Sequence, residues 1–451
     1  MKARPIRTAI LAAGMLFMLV FTAHALDRQP NADYHARRVA LAGKLNGGIA
    51  VLFAADEPSA EYLEYRQDED FYYLTGWNEP GAALLVQAPV AAEGSHPARP
   101  YREILFLPTR NLRMELYTGK KLDAATPDAP QVTGVDEVKP MTDLPLTINQ
   151  LAAESRAVMN HLWLQSDSEQ AKALTLWIAT TLGRNDPSPF ADVRGPVSQL
   201  REIKDAGEMT LLHKASDASV QAQFAMMKSV HPGQKERTVN GIIVEKLMEN
   251  GCKRPSYPPI VGSGEKSTEL HYSENSQTMQ SGDVVVVDAA GEYSMYASDI
   301  TRTVPVSGHF SARQREIYDI VLGAQQAAID GFVAGKSHLN DPQHKFADSL
   351  DTIAFNYMNA HGKDLHGDPI GKYFIHGIGH SVGIDVHDPY DYSQPIKPGT
   401  VFTIEPGIYI PEEKIGVRIE DVFYANPDGK LECLTCALPK EVGAVEKAMR
   451  K

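Results

Sequence analysis

The first part of the chain alternates short apolar runs with glycine and proline, a pattern typical of buried strands. The strand-like runs lie at 47–55, 81–89 and 102–108, and helical stretches follow near 146–156 and 168–183. We therefore expect residues 26–183 to form an α/β domain. The next segment, 184–197, holds three prolines and few apolar residues, and we interpret it as a linker.

Helical patterns alternate with groups of strand patterns in the rest of the chain, residues 198–451. The predicted helices span 198–230, 235–250, 312–333 and 342–360, and the predicted strands fall within 257–304 and 373–425. Ser311 and Gln314 have the spacing of a capping box at the start of the third helix. This order predicts an α+β domain. The whole chain is thus expected to be α+β, with the smaller α/β domain in front.

The N-terminus has the three parts of a secretory signal peptide. Lys2, Arg4 and Arg7 form a basic region, 10–21 is an apolar stretch of twelve residues, and 23–25 reads Ala-His-Ala, a cleavage-site pattern. A retained membrane anchor is the alternative, but a spanning helix needs roughly 20 apolar residues. We expect the first 25 residues to be a signal peptide and the protein to be exported, to a bacterial periplasm or outside the cell.

The charge balance argues against one large class of partner. The chain carries 44 Lys and Arg against 57 Asp and Glu, a net charge of −13 at pH 7. Proteins that bind nucleic acid present basic surfaces to the phosphates, so no nucleic-acid partner is expected. Nothing after the N-terminal segment is apolar over a membrane-spanning length, so no stable membrane insertion is expected once that segment is removed.

Two of the three cysteines form a C-x-x-C pair, Cys433 and Cys436. In an oxidising compartment this spacing allows a local disulfide. A redox-active pair and half of a zinc site remain alternatives, although no thioredoxin-like context precedes the pair and no second cysteine pair exists. No function is assigned to these cysteines.

Four acidic residues and one histidine interrupt strand patterns of the second domain, where apolar residues are expected. These residues are Asp288, Asp299, His380, Glu405 and Glu420. Asp and Glu are poor strand residues, and an unpaired buried carboxylate is costly. Together they are tolerable if cations lie among them, and four oxygen donors with one nitrogen suit a pair of divalent ions. The pattern therefore predicts a two-metal hydrolase.

Spacing adds geometry to this prediction. Asp288 and Asp299 are eleven residues apart, which fits a strand, a wide turn and a returning strand that bring the two carboxylates face to face. The period of two along a strand puts Glu420 on the same side as Arg418. Taken alone, the two aspartates are better explained by a buried turn and a cap-like position, and Glu405 and Glu420 are weak signals; only the joint pattern favours metal ions.

His376 and His380 have the four-residue spacing of a zincin helix. However, Gly377 and Gly379 are poor helix residues, and the glutamate of the H-E-x-x-H motif is missing. The zincin interpretation is therefore rejected. The glycines instead indicate that backbone packs tightly against the site.

At this point the sequence closely resembles the pita-bread metallopeptidases and, among them, the aminopeptidase P family. The motifs that carry the resemblance are Leu270-His271-Tyr272, Asp288-Ala-Ala-Gly-Glu292, Ser298-Asp299-Ile-Thr-Arg-Thr303, His376-Gly-Ile-Gly-His380, Val386-His387-Asp388, Glu405-Pro-Gly-Ile-Tyr409 and Gly416-Val-Arg-Ile-Glu-Asp421. The segment 65–80 and Arg110-Asn111 extend it into the first domain, so it covers nearly the whole chain after the signal peptide.

The resemblance implies a pita-bread catalytic domain behind a creatinase-like N-terminal domain. It further implies that Asp288 binds one metal ion with both oxygens, and that Asp299 and Glu420 bridge the pair. His380 and Glu405 would complete the second ion. Four further residues would line the substrate site without binding metal: His271, His376, His387 and Arg418. The ions would be two Mn²⁺, with Co²⁺ or Zn²⁺ as alternatives, and the N-terminal domain would support a homo-dimer or tetramer.

The same resemblance implies hydrolysis of the N-terminal X-Pro bond of peptides by a metal-bridging hydroxide. Glu405 would take the proton of the attacking water, and His387 would hydrogen-bond the substrate carbonyl as negative charge develops. His271 would protonate the leaving proline nitrogen. Because an X-Pro bond has no N–H and its ring locks φ, a pocket in which His376 and His387 flank the ring would suit it.

Two alternatives remain open. A prolidase would cleave only X-Pro dipeptides with the same metal site, and Arg418 would then bind the dipeptide carboxylate. A creatinase-like, purely binding protein would keep the fold but lack the metal ligands, and the presence of all five ligand positions disfavours it.

Overall fold

The computed structural model describes residues 27–58, 64–92, 97–154, 162–165, 169–181 and 190–450. The predicted signal peptide lies outside these residues. Within the described chain, no helix is both long enough and apolar enough to cross a membrane.

A six-stranded mixed sheet forms the centre of the N-terminal domain. Its strands are β1 Ile49–Phe53, β2 Ala83–Gln87, β3 Arg102–Leu107, β4 Glu137–Pro140, β5 Leu162–Leu164 and β6 Phe190–Asp192, in the spatial order β4-β3-β2-β1-β5-β6. The helices of this domain are α1 Asn31–Lys44, α2 Glu69–Thr75, α3 Glu115–Thr118, α4 Ala129–Thr133, α5 Leu144–Glu154 and α6 Glu169–Thr181. The three predicted strands and both predicted helices are present, which confirms the α/β prediction.

The predicted linker, 184–197, is wrong in its second half. Residues 184–189 lie outside the described chain, but β6 pairs in parallel with β5, and helix α7 Arg194–Arg201 follows it almost at once. The linker was predicted from its prolines, but proline is compatible with the first turn of a helix. Pro196 lies in the first turn of α7, where a missing N–H costs no intrahelical hydrogen bond.

Helix pairs and antiparallel strands alternate in the C-terminal domain, which confirms the α+β prediction. The helices after α7 are α8 Ala206–Ser229, α9 Glu236–Glu249, α10 Ala312–Gly331, α11 Leu350–His361 and α12 Val442–Ala448. The strands are β7 Arg254–Pro255, β8 Ile260–Ser263, β9 Val284–Asp288, β10 Gly291–Tyr293, β11 Tyr296–Ala297, β12 Thr301–Pro305, β13 Val401–Ile404, β14 Gly407–Ile410, β15 Ile415–Arg418, β16 Asp421–Ala425 and β17 Leu431–Cys433. The capping box of Ser311 and Gln314 is present at the start of α10.

Four small sheets hold these strands. β8, β9 and β12 form one antiparallel sheet, β13, β16 and β17 form a second, β7, β10 and β11 form a third, and β14 pairs with β15. The strands predicted within 373–425 begin only at Val401. The apolar and glycine residues before it pack as irregular backbone instead.

Two helix boundaries also differ from the prediction. The predicted helix 198–230 is divided between α7 and α8, because Asp205 starts a new helix. Its carboxylate accepts the N–H of Glu208 at 2.9 Å, and the Glu208 carboxylate accepts the N–H of Asp205 at 3.0 Å. The predicted helix 342–360 begins only at Leu350.

The two domains share one hydrophobic core. Leu41 and Phe71 of the first domain pack in the same cluster as Val197 of α7 and Val382 and Ile384 of the second domain. Each of these five side chains is at most 2% exposed. A second cluster lies wholly in the first domain and a third in the C-terminal domain. The domains are therefore joined by packed apolar surface as well as by the chain.

Cys433 and Cys436 form a disulfide, which is the first of the three possibilities left open by the sequence. Both sulfurs are used in this bond, so the pair is not available as a zinc site in this state. The third cysteine, Cys252, is a buried free thiol.

Candidate metal centre

The two aspartates meet as the sequence spacing predicts. Asp288 ends β9 and lies opposite Thr301 of β12 in the antiparallel register. The Tyr257 hydroxyl donates to Asp288 Oδ1 at 2.6 Å and is also placed against Asp299 Oδ1. A hydroxyl has only one proton to donate. The second carboxylate oxygen therefore lies against the Tyr257 oxygen without receiving its proton, and a further proton or cation is needed at this contact.

His380 turns its Nε2 toward the carboxylates. This atom lies 3.3 Å from Asp299 Oδ2 and 3.5 Å from Glu405 Oε1. On the other side of the ring, Nδ1 donates to the Ser381 carbonyl at 3.1 Å. That bond selects the tautomer whose Nε2 carries a lone pair, which is the state that ligates a metal ion.

Backbone packing fixes this ring relative to Glu405. The Thr403 hydroxyl accepts the His380 N–H at 3.0 Å and donates to Glu405 Oε1 at 3.1 Å. A Cβ atom on Gly379 would lie 2.1 Å from the Thr403 carbonyl oxygen, so only glycine fits there. This agrees with the prediction that glycine lets the backbone approach the site.

Glu420 and Arg418 face the same site from β15 and the residues after it. Glu420 Oε2 accepts the Thr301 hydroxyl at 2.6 Å. Arg418 donates from Nε to the same hydroxyl at 3.1 Å and from Nη2 to Asp288 Oδ2 at 2.5 Å. The predicted common side of Glu420 and Arg418 is therefore observed.

A chain of hydrogen bonds orients His376. Arg418 Nη1 donates to the Tyr409 oxygen at 2.9 Å, and the Tyr409 hydroxyl is 2.9 Å from His376 Nε2. His376 Nδ1 lies 2.8 Å from the Gly377 carbonyl, which only accepts. The proton is therefore on Nδ1, and both ring nitrogens are engaged. His376 is left with its ring face to offer a substrate.

All nine predicted residues line one cleft of about 680 Å³. They are Asp288, Asp299, His380, Glu405, Glu420, His271, His376, His387 and Arg418. His271 and His387 are exposed on its walls, and the rings of His387 and His380 pack together, tilted by 33°, with centroids 3.9 Å apart. The volume is in the usual range for a small-molecule or peptide site. The structure brings the whole set together, and the individual roles stay predictions.

Burial governs protonation in this cleft. It raises the pKa of Asp288, Glu405 and Glu420 above ordinary carboxyl values, and repulsion among the carboxylates adds to the effect, so that the pKa of Glu405 reaches about 7. Burial lowers the pKa of His380, but the neighbouring Asp299 and Glu405 outweigh it and raise the value to about 9. The site therefore holds extra protons when no other cation balances it.

The donor set fits divalent metal ions. Donor atoms of Asp299, His380 and Glu420 lie within 4.8 Å of one another, and all three residues are buried. Asp288 and Glu405 are tied to this group through Tyr257 and Thr403. Four carboxylates with one imidazole match ions such as Mn²⁺, Co²⁺ or Zn²⁺.

Metal affinity is expected to rise with pH. A carboxylate or an imidazole must lose its proton before it ligates a metal ion, and the metal-free pKa values of Glu405 and His380 are about 7 and about 9. The apparent affinity for Mn²⁺ should therefore fall as the pH is lowered from 9 to 6, with proton release on binding.

Calorimetric titration of metal-free protein in buffers of different ionisation enthalpy measures this release. The Asp299→Ala variant provides the blank. An affinity that is constant from pH 6 to 9, with no proton released, would contradict the prediction.

The site also contains residues that were not predicted, among them Tyr257, Tyr409, Thr301, Thr403 and Asn340. Tyr409 stands inside one of the sequence motifs, but its role depends on contacts with Arg418 and His376 that sequence spacing does not show. Asn340 lies in the segment between α10 and α11, where its amide donates to the Gly379 carbonyl at 2.7 Å. No local signal in the sequence marks Asn340 as part of a site.

Known proteins resemble this chain in both domains. Residues 210–427 match the family described as metallopeptidase family M24, and residues 34–159 match the aminopeptidase P N-terminal domain. The Xaa-Pro aminopeptidases of Escherichia coli and Haemophilus influenzae are 33% and 31% identical to the chain, over 93% and 94% of it and 98% of each relative. The solved structure of E. coli aminopeptidase P with the inhibitor Pro-Leu matches at a TM-score of 0.80 and 29% identity, covering 94% of this chain and 99% of that one.

Proposed function

The chain belongs to metallopeptidase family M24, within its Xaa-Pro aminopeptidases, and from this membership we propose that it removes the N-terminal residue from peptides with proline in second position. The single observation that carries the proposal is the cleft in which all five candidate ligands and the three further histidines face one another. The complete ligand set argues against a purely binding protein.

The five candidate ligands would hold two divalent ions, which would supply an activated water near neutral pH and polarise the scissile carbonyl. In this proposal Glu405 accepts the proton of the attacking water. His387 donates a hydrogen bond to the carbonyl oxygen as negative charge develops. His271, which lines the same cleft, gives a proton to the departing proline nitrogen.

The histidines and apolar residues of the cleft suit a proline ring. The two nitrogens of His376 are occupied by Tyr409 and Gly377, so its ring face is the part that remains for the substrate. Pro258, Ile260, Leu270 and Val386 add apolar lining. A tertiary amide without an N–H loses nothing in such a pocket, because no backbone hydrogen bond to that nitrogen is needed.

The cation content of the cleft supports an aminopeptidase over a prolidase. Arg418 is the only lysine or arginine among the described residues that line it. Its guanidinium is already bonded to Asp288, Thr301 and Tyr409. Burial lowers the pKa of His376 to about 4 and also lowers that of His387, with the nearby charge of Arg418 or His380 contributing. A dipeptide carboxylate would therefore meet no free lysine or arginine among the described residues of the cleft.

A tripeptide X-Pro-Y is accordingly expected to be cleaved with a kcat/KM about 10- to 100-fold above that of the dipeptide X-Pro, because an unpaired carboxylate in the cleft costs about as much as a lost charged hydrogen bond. The amidated dipeptide X-Pro-NH₂ is the matched control, since it removes only the carboxylate charge. It should recover most of the tripeptide rate. A dipeptide hydrolysed as fast as the tripeptide would favour the prolidase.

We also propose Mn²⁺ as the bound metal, a homo-oligomeric assembly and export through the N-terminal segment. The Cys433–Cys436 disulfide supports an oxidising compartment. Metal analysis and light scattering of the purified enzyme test the first two. N-terminal sequencing of the secreted or periplasmic chain tests the third, with Leu26 as the expected first residue.

A further inference from the structure

A buried carboxylate follows His387 directly in the chain. Asp388 is 4% exposed, and its Oδ1 accepts from Arg201 Nη2 at 2.7 Å while its Oδ2 accepts from Lys204 Nζ at 3.0 Å. Burial alone would raise the pKa of Asp388, but the two cations hold it below the ordinary value. Asp388 is therefore a charged, doubly paired group immediately behind a residue of the substrate cleft.

The same carboxylate closes the loop that carries His387. Asp388 donates its N–H to the Ser381 carbonyl at 2.9 Å, and its Oδ1 accepts the N–H of Asp385 at 3.1 Å. A Cβ on Gly383 would lie 2.5 Å from the Asp388 carboxyl group, so the loop has no room to relax toward it. The position of His387 is thus set by where Asp388 is held.

Arg201 connects this loop to the other domain. Its Nη1 donates to Asp70 Oδ1 at 2.6 Å, and Asp70 belongs to α2 of the N-terminal domain. Arg201 is 4% exposed, so the bridge is shielded from water. A second contact runs in parallel, because Arg66 donates from Nη2 to the Ile384 carbonyl at 3.0 Å. The N-terminal domain therefore contacts the His387 loop directly through Arg66 and indirectly through the pair of Asp70 and Arg201.

We propose that Asp70, Arg201 and Asp388 are positioning residues that hold His387 in its catalytic place, so that the N-terminal domain takes part in setting the geometry of the active site. The proposal rests on the proposed function, because His387 is assigned its role there. None of the three needs to touch the substrate. Each acts through the next, from α2 to the loop of residues 381–388.

The test measures kcat and KM for an X-Pro-Y tripeptide, with each variant made both in the original enzyme and in a His387→Ala enzyme. Asp388→Asn is expected to lower kcat about 10- to 100-fold, as loss of an orienting outer partner does, with KM and metal content little changed. Asp70→Asn keeps the side-chain size and is expected to lower kcat about 3- to 30-fold. In a His387→Ala background, assayed at high enzyme concentration, neither change should lower the remaining rate by more than about twofold.

A matched control comes from another contact between the same domains. Asp205 pairs with Arg37 of α1 at 2.6 Å but makes no hydrogen bond to the His387 loop. Asp205→Asn retains a good N-cap residue and should leave kcat within about twofold. The proposal would be overturned if Asp388→Asn lowered kcat equally with and without His387. It would also be overturned if neither Asp388→Asn nor Asp70→Asn lowered kcat.

If Asp388→Asn does not fold, Asp70→Asn decides alone, because it is remote from the loop and changes only one oxygen to an amide. Failure of the proposed function looks different. In that case the unaltered, metal-loaded enzyme would release no N-terminal residue from the tripeptide, and this inference would fall with it. If the unaltered enzyme cleaves the tripeptide and the variants leave kcat unchanged, only the positioning role is refuted.

Discussion

Replacing Asp299 by alanine is expected to remove bound metal and to lower kcat/KM for an X-Pro-Y tripeptide by at least about 10³-fold. Asp299 contributes an oxygen to the group in which three donors lie within 4.8 Å of one another. A metal ion supplies several kcal/mol of transition-state stabilisation, and each 1.4 kcal/mol corresponds to about tenfold in rate. Glu420→Ala should have the same effect, because Glu420 belongs to the same group.

These variants should nevertheless stay folded. In the metal-free site, burial and the nearby charge of Asp299 raise the pKa values of Glu405 and Glu420. Removing Asp299 relieves this repulsion, so the metal-free Asp299→Ala protein should unfold at or above the temperature of the metal-free original. Elemental analysis, steady-state kinetics and thermal unfolding check the three parts. Glu249→Ala, an exposed carboxylate on α9, is the control, and near-normal turnover by Asp299→Ala would refute the metal site.

Replacing Arg302 by methionine is expected to cost about 3–5 kcal/mol in the free energy of unfolding. Arg302 is fully buried in β12 and uses all of its five N–H groups. The acceptors are Asp421 Oδ1 and the carbonyls of Thr301, Glu420, Leu438 and Pro439. Methionine fills a similar volume but leaves these buried acceptors without a donor, and each such loss is costly.

Urea unfolding, followed in the presence of saturating metal, measures this change. Arg315→Met on α10 is the matched control, because Arg315 is half exposed and its contact with Glu446 is 3.4 Å long. An exposed pair of that kind contributes about 0–1 kcal/mol. A loss below about 1 kcal/mol for Arg302→Met would show that the buried network is not needed for stability.

The candidate ligands were predictable because each breaks a local rule. A carboxylate inside a strand pattern can be recognised from its own position in the sequence, although only the joint pattern favoured metal ions. The spacing of Asp288 and Asp299 implied their antiparallel pairing. Tyr257 and Arg201 were not predictable in this way. Tyr257 precedes a proline and Arg201 ends a helix, both common settings, and their partners lie 31 and 187 residues away in the chain.

The wrong predictions of helix and strand boundaries have a similar cause. The start of α8 was readable, since Asp205 and Glu208 form a capping box, but the apolar spacing on both sides favoured one long helix. In 373–400 the alternation of glycine and apolar residues imitates a strand. The glycines there serve close packing, as at Gly379 against Thr403 and Gly383 against Asp388, which depends on contacts between distant segments.

The hydrophobic core that both domains share has a consequence for how such chains diversify. Val382 and Ile384, which pack in the same core as Leu41 and Phe71, stand only a few residues from His380 and His387. A change of volume on the first-domain side is therefore expected to shift the segment 380–387, which carries two histidines of the cleft. Exchange of N-terminal domains between relatives should therefore destabilise the protein unless the facing apolar residues are exchanged with them.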